Sequence, residues 1–124
     1  MHSTTLFLTI EGKNFSPALV ESKTNIIFED KAEVGEIPAN SQLGKPMNFG
    51  YGYLALNDGD LYSDKVLHIV EKNILLFEEA GGKLMYLDCF IEHDGQCVFE
   101  VSPIFMKKLG ELNLPIIFSA YEKD

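Results

Sequence analysis

Apolar residues change their spacing along this chain, and this change constrains the fold more than any other feature of the sequence. In residues 4–11, leucine and isoleucine occupy every second position, as in a strand with one buried face. In residues 61–80, apolar side chains recur at helical spacing, and Gly81 and Gly82 then provide a strong helix stop. The apolar positions of this segment are Val66, Val70, Ile74 and Phe77, flanked by Leu67 and Ile69. Strands on either side of a long amphipathic helix predict a mixed α and β fold.

Two Ser-Pro pairs and several short apolar runs divide the rest of the chain. Ser16-Pro17 and Ser102-Pro103 each match an N-cap followed by the first residue of a helix, so a short helix is predicted after each pair. Strands are predicted over residues 25–30, 47–57, 83–93, 96–101 and 115–121, with a long loop over residues 31–46.

The strands over residues 83–93 and 96–101 are predicted to form a hairpin around Asp94 and Gly95. A two-residue loop would place the apolar side chains of the first arm beside a mixed set that includes Glu100. A three-residue loop with Gly95 in the left-handed conformation places them beside apolar side chains alone, and we expect this register. The apolar positions are Met85, Leu87, Cys89 and Ile91 in the first arm and Cys97, Phe99 and Val101 in the second.

The predicted order of elements is strand, helix, two strands, helix, two strands, helix and strand. The first six match a ferredoxin-like βαββαβ pattern. We therefore expect an α+β fold with a mixed or antiparallel sheet of about six strands, one long helix and two short helices. A chain of 124 residues suits one core, so residues 1–124 are predicted to form a single α+β domain.

The charged residues restrict the partners that this chain could bind. All 10 basic residues are lysine, and the 19 acidic residues bring the formal net charge to -9. This charge has the wrong sign for a phosphate backbone, and the arginine fork that recognises phosphates and base edges is absent, so we expect no nucleic acid partner. An acidic surface would attract a basic protein or a cation, although the same charge can serve solubility alone.

The sequence indicates neither export nor a membrane span. Residues 6–10 are mostly apolar but lack the basic segment and the long apolar run of a signal peptide. No uninterrupted apolar run approaches the roughly 20 residues that a transmembrane helix requires. We therefore expect no membrane partner and a cytoplasmic location.

The two cysteines follow no catalytic or metal-binding pattern. In the predicted hairpin, Cys89 and Cys97 would be diagonal neighbours roughly 7 Å or more apart, beyond the normal reach of a disulfide. No CxxC spacing or nearby basic residue favours a reactive thiolate, so both are predicted to be reduced thiols in the core. Because a nucleophile elbow and a cofactor fingerprint are also absent, we assign no catalytic residue and no cofactor, and an enzyme is disfavoured.

Two acidic segments resemble metal sites only in part. Residues 57–64 hold three aspartates at a spacing similar to a calcium loop, but Ile69 occupies the position of the bidentate glutamate. These aspartates are predicted to stabilise the start of the main helix instead. Residues 92–94 are Glu-His-Asp, yet adjacent strand residues point to opposite faces, so we predict a polar turn there and no metal.

Two groups of residues are candidates for binding a partner. Phe49, Tyr51 and Tyr53 alternate on the third strand and could form an aromatic platform, since tyrosine suits half-exposed interfaces. The intervening Gly50 and Gly52 favour a structural interpretation, in which small residues allow close approach to the strand. The second group crowds the C-terminal half of the main helix, where negative charge opposes the helix dipole and a solvated face is the simpler explanation. It consists of Glu71, Glu78 and Glu79.

Several segments together resemble a bacterial protein family. They are residues 8–19, residues 35–46, residues 97–103 (Cys-Val-Phe-Glu-Val-Ser-Pro), Leu109, Leu112, Leu114 and residues 119–121 (Ser-Ala-Tyr). In these segments the chain resembles the family called domain of unknown function 4279. The resemblance implies a bacterial cytosolic protein without established activity, and it transfers no catalytic residue to this chain.

These observations favour a non-enzymatic protein-protein interaction module whose acidic surface binds a basic partner, such as an immunity protein that blocks a basic toxin. The alternative is a small-ligand-binding or hydrolytic domain that uses the face of Tyr51 and Tyr53, with the loop over residues 31–47 as its lid. A third hypothesis is a homodimer that forms through an exposed sheet edge.

Overall fold

The computed structural model describes residues 2–37, 44–56 and 60–123. Within these ranges the chain forms five strands and three α-helices, and a short 3-10 turn precedes the second helix. The strands are β1 (His2–Gly12), β2 (Asp30–Ala32), β3 (Gly50–Ala55), β4 (Leu84–His93) and β5 (Ile116–Glu122). The helices are α1 (Pro17–Lys23), α2 (His68–Glu79) and α3 (Pro103–Glu111), with the 3-10 turn at Lys65–Leu67.

The strands form one mixed sheet in the order β2-β3-β1-β4-β5, which confirms the predicted α+β class. β3 is antiparallel to both β1 and β2, and β4 is antiparallel to β1. Consequently β1 and β2 are parallel with β3 between them, and β3 and β4 are parallel with β1 between them. Two interlocked split βαβ units of this kind match the ferredoxin-like pattern predicted for the first six elements. β5 then extends the sheet in parallel with β4.

The core lies between one face of the sheet and the helices. Leu6, Leu8 and Ile10 of β1 are fully buried, as are Leu87 and Ile91 of β4. The helices contribute Val20, Val70, Phe77, Phe105 and Leu109 to the same cluster. Full burial of a side chain of this size contributes about 1.5–3 kcal/mol to folding. The helices therefore hold to a single face of the sheet through the hydrophobic effect.

The helix starts predicted at the two Ser-Pro pairs are confirmed, as is the helix stop predicted at Gly81 and Gly82. The hydroxyl of Ser16 accepts a hydrogen bond from the backbone N–H of Leu19 at 3.2 Å, and that of Ser102 accepts one from Ile104 at 3.2 Å. Each cap of this kind stabilises its helix by about 1 kcal/mol. Gly81 follows α2 with φ of 102°, a left-handed conformation that favours glycine.

The predicted hairpin is wrong in its second arm. β4 forms as predicted, but β1 occupies one of its edges and β5 occupies the other. No edge remains for residues 96–101, which are irregular and pack three alternating side chains against the core. These side chains are Cys97, Phe99 and Val101. The alternation therefore predicted correctly which of these side chains point inward. The predicted number of about six strands is wrong, because the sheet of the described residues has five.

The second strand is also displaced from its predicted position. A strand is expected over residues 25–30, but pairing with β3 begins at Asp30 and ends at Ala32. Ile26 and Phe28 are nevertheless buried. Their alternation therefore reflects packing into the core and not a hydrogen-bonded ladder.

The main helix begins later than predicted. A helix is expected from residue 61, but α2 begins at His68 after the 3-10 turn. The side chains of Asp60 and Ser63 accept hydrogen bonds from the backbone N–H groups of Tyr62 and Lys65, and such local bonds compete with the helical pattern. α2 consequently spans 12 residues, and in the described ranges no helix is long and apolar enough to cross a membrane.

Candidate interaction face

The sheet face opposite the helices carries no helix or strand within the described residues. Side chains reach it from the positions that alternate with the core residues. We call this surface the open face. It consists of Asp30 and Ala32 of β2; Tyr51, Tyr53 and Ala55 of β3; Ser3, Thr5, Phe7, Thr9 and Glu11 of β1; Leu84, Tyr86, Asp88, Phe90 and Glu92 of β4; and Ile117, Ser119 and Tyr121 of β5.

Aromatic rings form a connected group across the centre of the open face. Phe7 stacks on Tyr53 with ring centroids 4.5 Å apart, and it meets Phe90 edge to face at 5.9 Å. Phe49, just before β3, forms a second pair with Tyr51 at 6.3 Å. Such ring pairs contribute about 0.5–1.5 kcal/mol beyond their area of burial. Because all of these rings remain partly exposed, the group combines fixed geometry with access from outside.

A row of two tyrosines with a threonine between them crosses three strands. The register places Tyr53, Thr9 and Tyr86 side by side. Thr9 is only 6% exposed, and its hydroxyl donates a hydrogen bond to Oδ2 of Asp88 at 3.1 Å. The side chain of Asp88 is therefore held in a defined position next to the aromatic group.

Carboxylates are interspersed among the rings of the open face. They belong to Glu11, Asp30, Asp88 and Glu92. The hydroxyl of Tyr51 donates a hydrogen bond to Oδ2 of Asp30 at 3.1 Å. The described positions of the open face include no lysine, because Lys31 of β2 points to the other side and pairs with Glu21. This surface is therefore aromatic and anionic.

Three tyrosines of the open face, Tyr51, Tyr53 and Tyr86, have a raised pKa and remain protonated well above neutral pH. Burial raises the pKa of Tyr51, and its hydrogen bond to Asp30 acts in the same direction. Burial also raises the pKa of Tyr53 and of Tyr86, and the charge of Asp88 adds to both shifts. These three phenols are therefore neutral hydrogen-bond donors on the open face.

The structure separates the two predicted groups of interaction residues. On the side of the open face lie Phe49, Tyr51 and Tyr53, whereas Glu71, Glu78 and Glu79 are exposed on α2. α2 packs on the opposite side of the sheet, and Oε2 of Glu71 lies 2.6 Å from Nζ of Lys108, which partly neutralises its charge. The predicted residues thus belong to two surfaces and not to one site.

The glycines between the tyrosines support the structural interpretation of that segment. A Cβ atom on Gly50 would lie 1.9 Å from the carbonyl oxygen of Phe15, and one on Gly52 would lie 2.7 Å from the ring of Phe28. Only a hydrogen atom fits at these two positions. One side of β3 therefore serves close packing, while the other presents tyrosines on the open face.

Sequence reasoning missed the part of the open face that β1 and β4 supply. Phe7 lies between two threonines on the outer side of β1, and its size is the feature of the sequence that could have indicated its role. On β4 the outer positions alternate between aromatic and acidic residues, which is an unusual pattern for a solvated side. These positions are Tyr86, Asp88, Phe90 and Glu92. That pattern could have predicted the open face.

An open depression of about 460 Å³ adjoins the end of the open face near Tyr51 and Glu11. It is lined by Glu11, Gly12, Lys13, Asn48, Phe49, Lys83 and Leu84. The ammonium groups of Lys13 and Lys83 form no ion pair with any described residue. The depression therefore presents two ammonium groups beside apolar side chains and the carboxylate of Glu11.

Groups suited to covalent or metal chemistry are not assembled in the described part of the chain. Cys89 and Cys97 are free thiols, and burial raises the pKa of Cys89 to about 11, which disfavours its thiolate at neutral pH. Nδ1 of His93 lies 3.0 Å from the carbonyl oxygen of Gly95, within the predicted turn. No cluster of three or more potential metal ligands occurs among the described residues. Residues 57–59 of the calcium-loop-like segment and residues 38–43 of the predicted lid lie outside them.

Comparison with known proteins yields no relative. No protein-family model, curated protein or solved structure matches this chain. The resemblance to domain of unknown function 4279 therefore stays a prediction.

Proposed function

We propose that this chain is a non-enzymatic interaction module that binds a basic protein through its open face. The observation that carries the proposal is the interleaving of aromatic rings and carboxylates on a sheet face whose described positions include no lysine. A net charge of -9 extends the attraction of a basic partner beyond the contact surface. Charge and surface chemistry thus favour the same class of partner.

Lysine and arginine side chains of a partner would find two kinds of contact on the open face. Their charged groups would pair with Asp88 or Glu92, and their flat or apolar parts would lie on the rings of Tyr53 and Phe90. A cation above an aromatic ring contributes about 0.5–1 kcal/mol at an exposed site. An exposed ion pair contributes about 0.2–1 kcal/mol. Stable binding therefore needs several such contacts, and the open face offers them side by side on neighbouring strands.

An immunity protein that blocks a basic toxin is the kind of module that we propose, acting in the cytoplasm of a bacterial cell. The net charge and the lack of arginine argue against nucleic acid as the partner. Because the phenols of Tyr51 and Tyr53 remain neutral, the charge of the open face comes from its carboxylates. The complex should therefore weaken with salt, because screening acts on the carboxylate contacts first.

The proposal is tested by two matched double variants that change the net charge equally on opposite sides of the sheet. Asp88→Asn with Glu92→Gln removes charge from the open face, and Glu78→Gln with Glu79→Gln removes it from α2. Each variant and the wild type are immobilised and exposed to lysate of the source cell at low and at high salt. Captured proteins are then quantified by mass spectrometry.

We expect a basic protein that the wild type and the α2 variant retain at low salt, and that the open-face variant loses. Equal loss of the basic protein from both variants would show that net charge alone attracts it. That result would overturn the role of the open face. Retention by all three baits, or capture of no basic protein, would also contradict the proposal. Thermal unfolding of each variant checks that the fold is intact.

Small-ligand binding is the second candidate function, and the depression next to Tyr51 favours it. Its apolar lining by Phe49 and Leu84, together with Lys13 and Lys83, suits an organic anion with a flat apolar body. The two lysines of this site outnumber its one carboxylate, Glu11, whereas the open face itself carries no lysine at its described positions. Binding there would therefore respond to lysine substitutions and not to Asp88→Asn.

Benzoate is a suitable probe for the second candidate, since it joins a carboxylate to a flat ring. NMR titration is expected to shift resonances at Phe49 and Leu84, and Lys13→Gln with Lys83→Gln should weaken the shifts. Lys23→Gln with Lys72→Gln makes the same charge change elsewhere and serves as the control. Equal weakening of the resonance shifts in both double variants would show that Lys13 and Lys83 do not bind benzoate in the depression.

A further inference from the structure

Among the residues that the structure describes, β5 hydrogen-bonds to the sheet on one side only, because it is the last strand in the order. The N–H of Leu87 donates to the carbonyl of Pro115 at 2.9 Å, and the N–H of Lys123 donates to the carbonyl of His93 at 2.7 Å. Consecutive strand residues direct their backbone groups to opposite sides, so every second residue from Pro115 to Lys123 faces β4. The outward groups belong to Ile116, Phe118, Ala120 and Glu122.

This outer edge lacks the features that usually protect an edge strand. Lysine, proline, a bulge or a very short strand normally discourages pairing with another chain. β5 has seven residues, Ile-Ile-Phe-Ser-Ala-Tyr-Glu, and none of them is Lys, Pro or Gly. Ile117, Phe118 and Tyr121 are 48%, 41% and 50% exposed. The opposite edge is protected, because β2 has only three residues and one of them is Lys31.

We propose that the edge of β5 pairs with β5 of a second copy of this chain, antiparallel about a two-fold axis through Ser119. This register is selected because it uses the outward backbone groups of all four residues on both copies. It pairs Phe118 with Ala120, Ile117 with Tyr121, Ile116 with Glu122 and Ser119 with itself. A large side chain thus faces a small one on the helix side, and two apolar side chains meet on the open face.

The charges near the edge are compatible with self-pairing in spite of the net charge. The two copies of Glu122 stand at opposite ends of the paired strands, about 20 Å apart at 3.4 Å per residue. Asp88 and Glu92 of different copies are separated by three strand spacings, about 14 Å. Both separations exceed the screening length of about 8 Å at physiological ionic strength. Self-pairing thus keeps Asp88, Glu92 and Glu122 of the two copies out of contact, and it does not depend on the proposed binding of a basic protein.

The oligomeric state of the whole chain tests this inference. Light scattering after size exclusion should give twice the monomer mass of 13.9 kDa for the wild type. Ile117→Lys, which places a lysine opposite Tyr121, should halve that mass. Ala120→Pro should do the same, because it removes an outward N–H without touching the bonds to β4. Ile27→Lys is the control, because it makes the same substitution at a residue that is 77% exposed and lies outside β5. This variant should stay dimeric.

Cross-linking tests the register itself. Opposed residues of a pair that is not hydrogen-bonded have Cα atoms about 4.5 Å apart, within disulfide range. In a Cys97→Ser background, Ser119→Cys should therefore form a covalent dimer on oxidation, whereas Tyr121→Cys should not. A wild type that stays monomeric up to its solubility limit would overturn the proposal. So would a dimer that resists both Ile117→Lys and Ala120→Pro, or one that cross-links through Tyr121→Cys in place of Ser119→Cys.

Discussion

The ring of Phe7 lies almost flat against the ring of Tyr53, with centroids 4.5 Å apart and planes at 19°. The register pairs Phe7 with Ala55 and Tyr53 with Thr9, so the contact runs diagonally between neighbouring rows. It joins β1 to β3 on the side where no described helix adds packing. The stack therefore stabilises the sheet and shapes the open face at the same time.

A double-mutant cycle with Phe7→Leu and Tyr53→Leu should give a coupling free energy of about 0.5–1.5 kcal/mol, the range for aromatic pairs. Urea unfolding of the wild type, both single variants and the double variant measures it. The control cycle combines Phe7→Leu with Tyr51→Leu, since the ring of Tyr51 contacts Phe49 instead. Coupling of the same size in both cycles would show that the stack has no specific role.

The same substitution should have opposite effects at two glycines. Gly50→Ala should destabilise the fold by roughly 1–3 kcal/mol or more, because its Cβ would lie 1.9 Å from the carbonyl oxygen of Phe15. Gly110→Ala should stabilise it by about 0.5–1 kcal/mol, because Gly110 lies within α3 and its Cβ would meet no described atom within 4 Å. Chemical unfolding measures both changes, and shifts of the same sign would contradict these environments.

Glu21 should make stability depend on pH in the acid range. Its carboxylate accepts hydrogen bonds from the ammonium of Lys31 and from the N–H of Phe28. The bond from Lys31 lowers the pKa of Glu21 below its ordinary value of 4.5. Because the folded pKa is the lower one, this stability is complete above the unfolded pKa and is lost as the pH falls through the folded pKa.

Glu21→Gln should therefore lower the free energy of unfolding at neutral pH and flatten its slope below pH 4.5. Urea unfolding at a series of pH values provides the measurement. Glu78→Gln, at an exposed residue of α2, should keep the slope of the wild type. If the free energy of unfolding of Glu21→Gln depended on pH as steeply as that of the wild type, a group other than Glu21 would cause the loss of stability in acid.

The two cysteines should react with thiol reagents at very different rates. Cys89 is fully buried and burial raises its pKa to about 11, whereas Cys97 is partly exposed. A colorimetric thiol titration of the folded protein should detect one fast thiol, and denaturant should release the second. Cys97→Ser should abolish the fast phase. Fast labelling of that variant would mean that Cys89 is accessible in the folded state.

The directions of side chains could be predicted from the sequence better than the pairing of strands. Alternation over residues 47–57 predicts Tyr51 and Tyr53 on one side and Gly50 and Gly52 on the other, as observed. This prediction succeeds because a period of two determines the two sides of a strand whatever its neighbours are. Residues 96–101 alternate equally well, yet they form no strand because β5 takes the edge of β4.

The dependence on strand pairing also explains why only part of the open face could be predicted. Thr9 and Asp88 are hydrogen-bonded although 79 residues separate them. Their proximity depends on the register between β1 and β4, which no local pattern of either segment determines. The aromatic residues of β3 lie within one short segment and were therefore found. Phe7 and Phe90 belong to the same group of rings only after the sheet is assembled.

The central place of β1 in the sheet has a consequence for synthesis on the ribosome. β1 needs β3 on one edge and β4 on the other, and β4 ends only at His93. At about 5–20 residues per second, the ribosome takes roughly 4–16 s to add the 80 or so residues from the end of β1 to the end of β4. Throughout that interval Leu6, Leu8 and Ile10 belong to a strand with an unpaired edge. Each nascent chain therefore passes through a period in which chaperone binding or aggregation competes with folding.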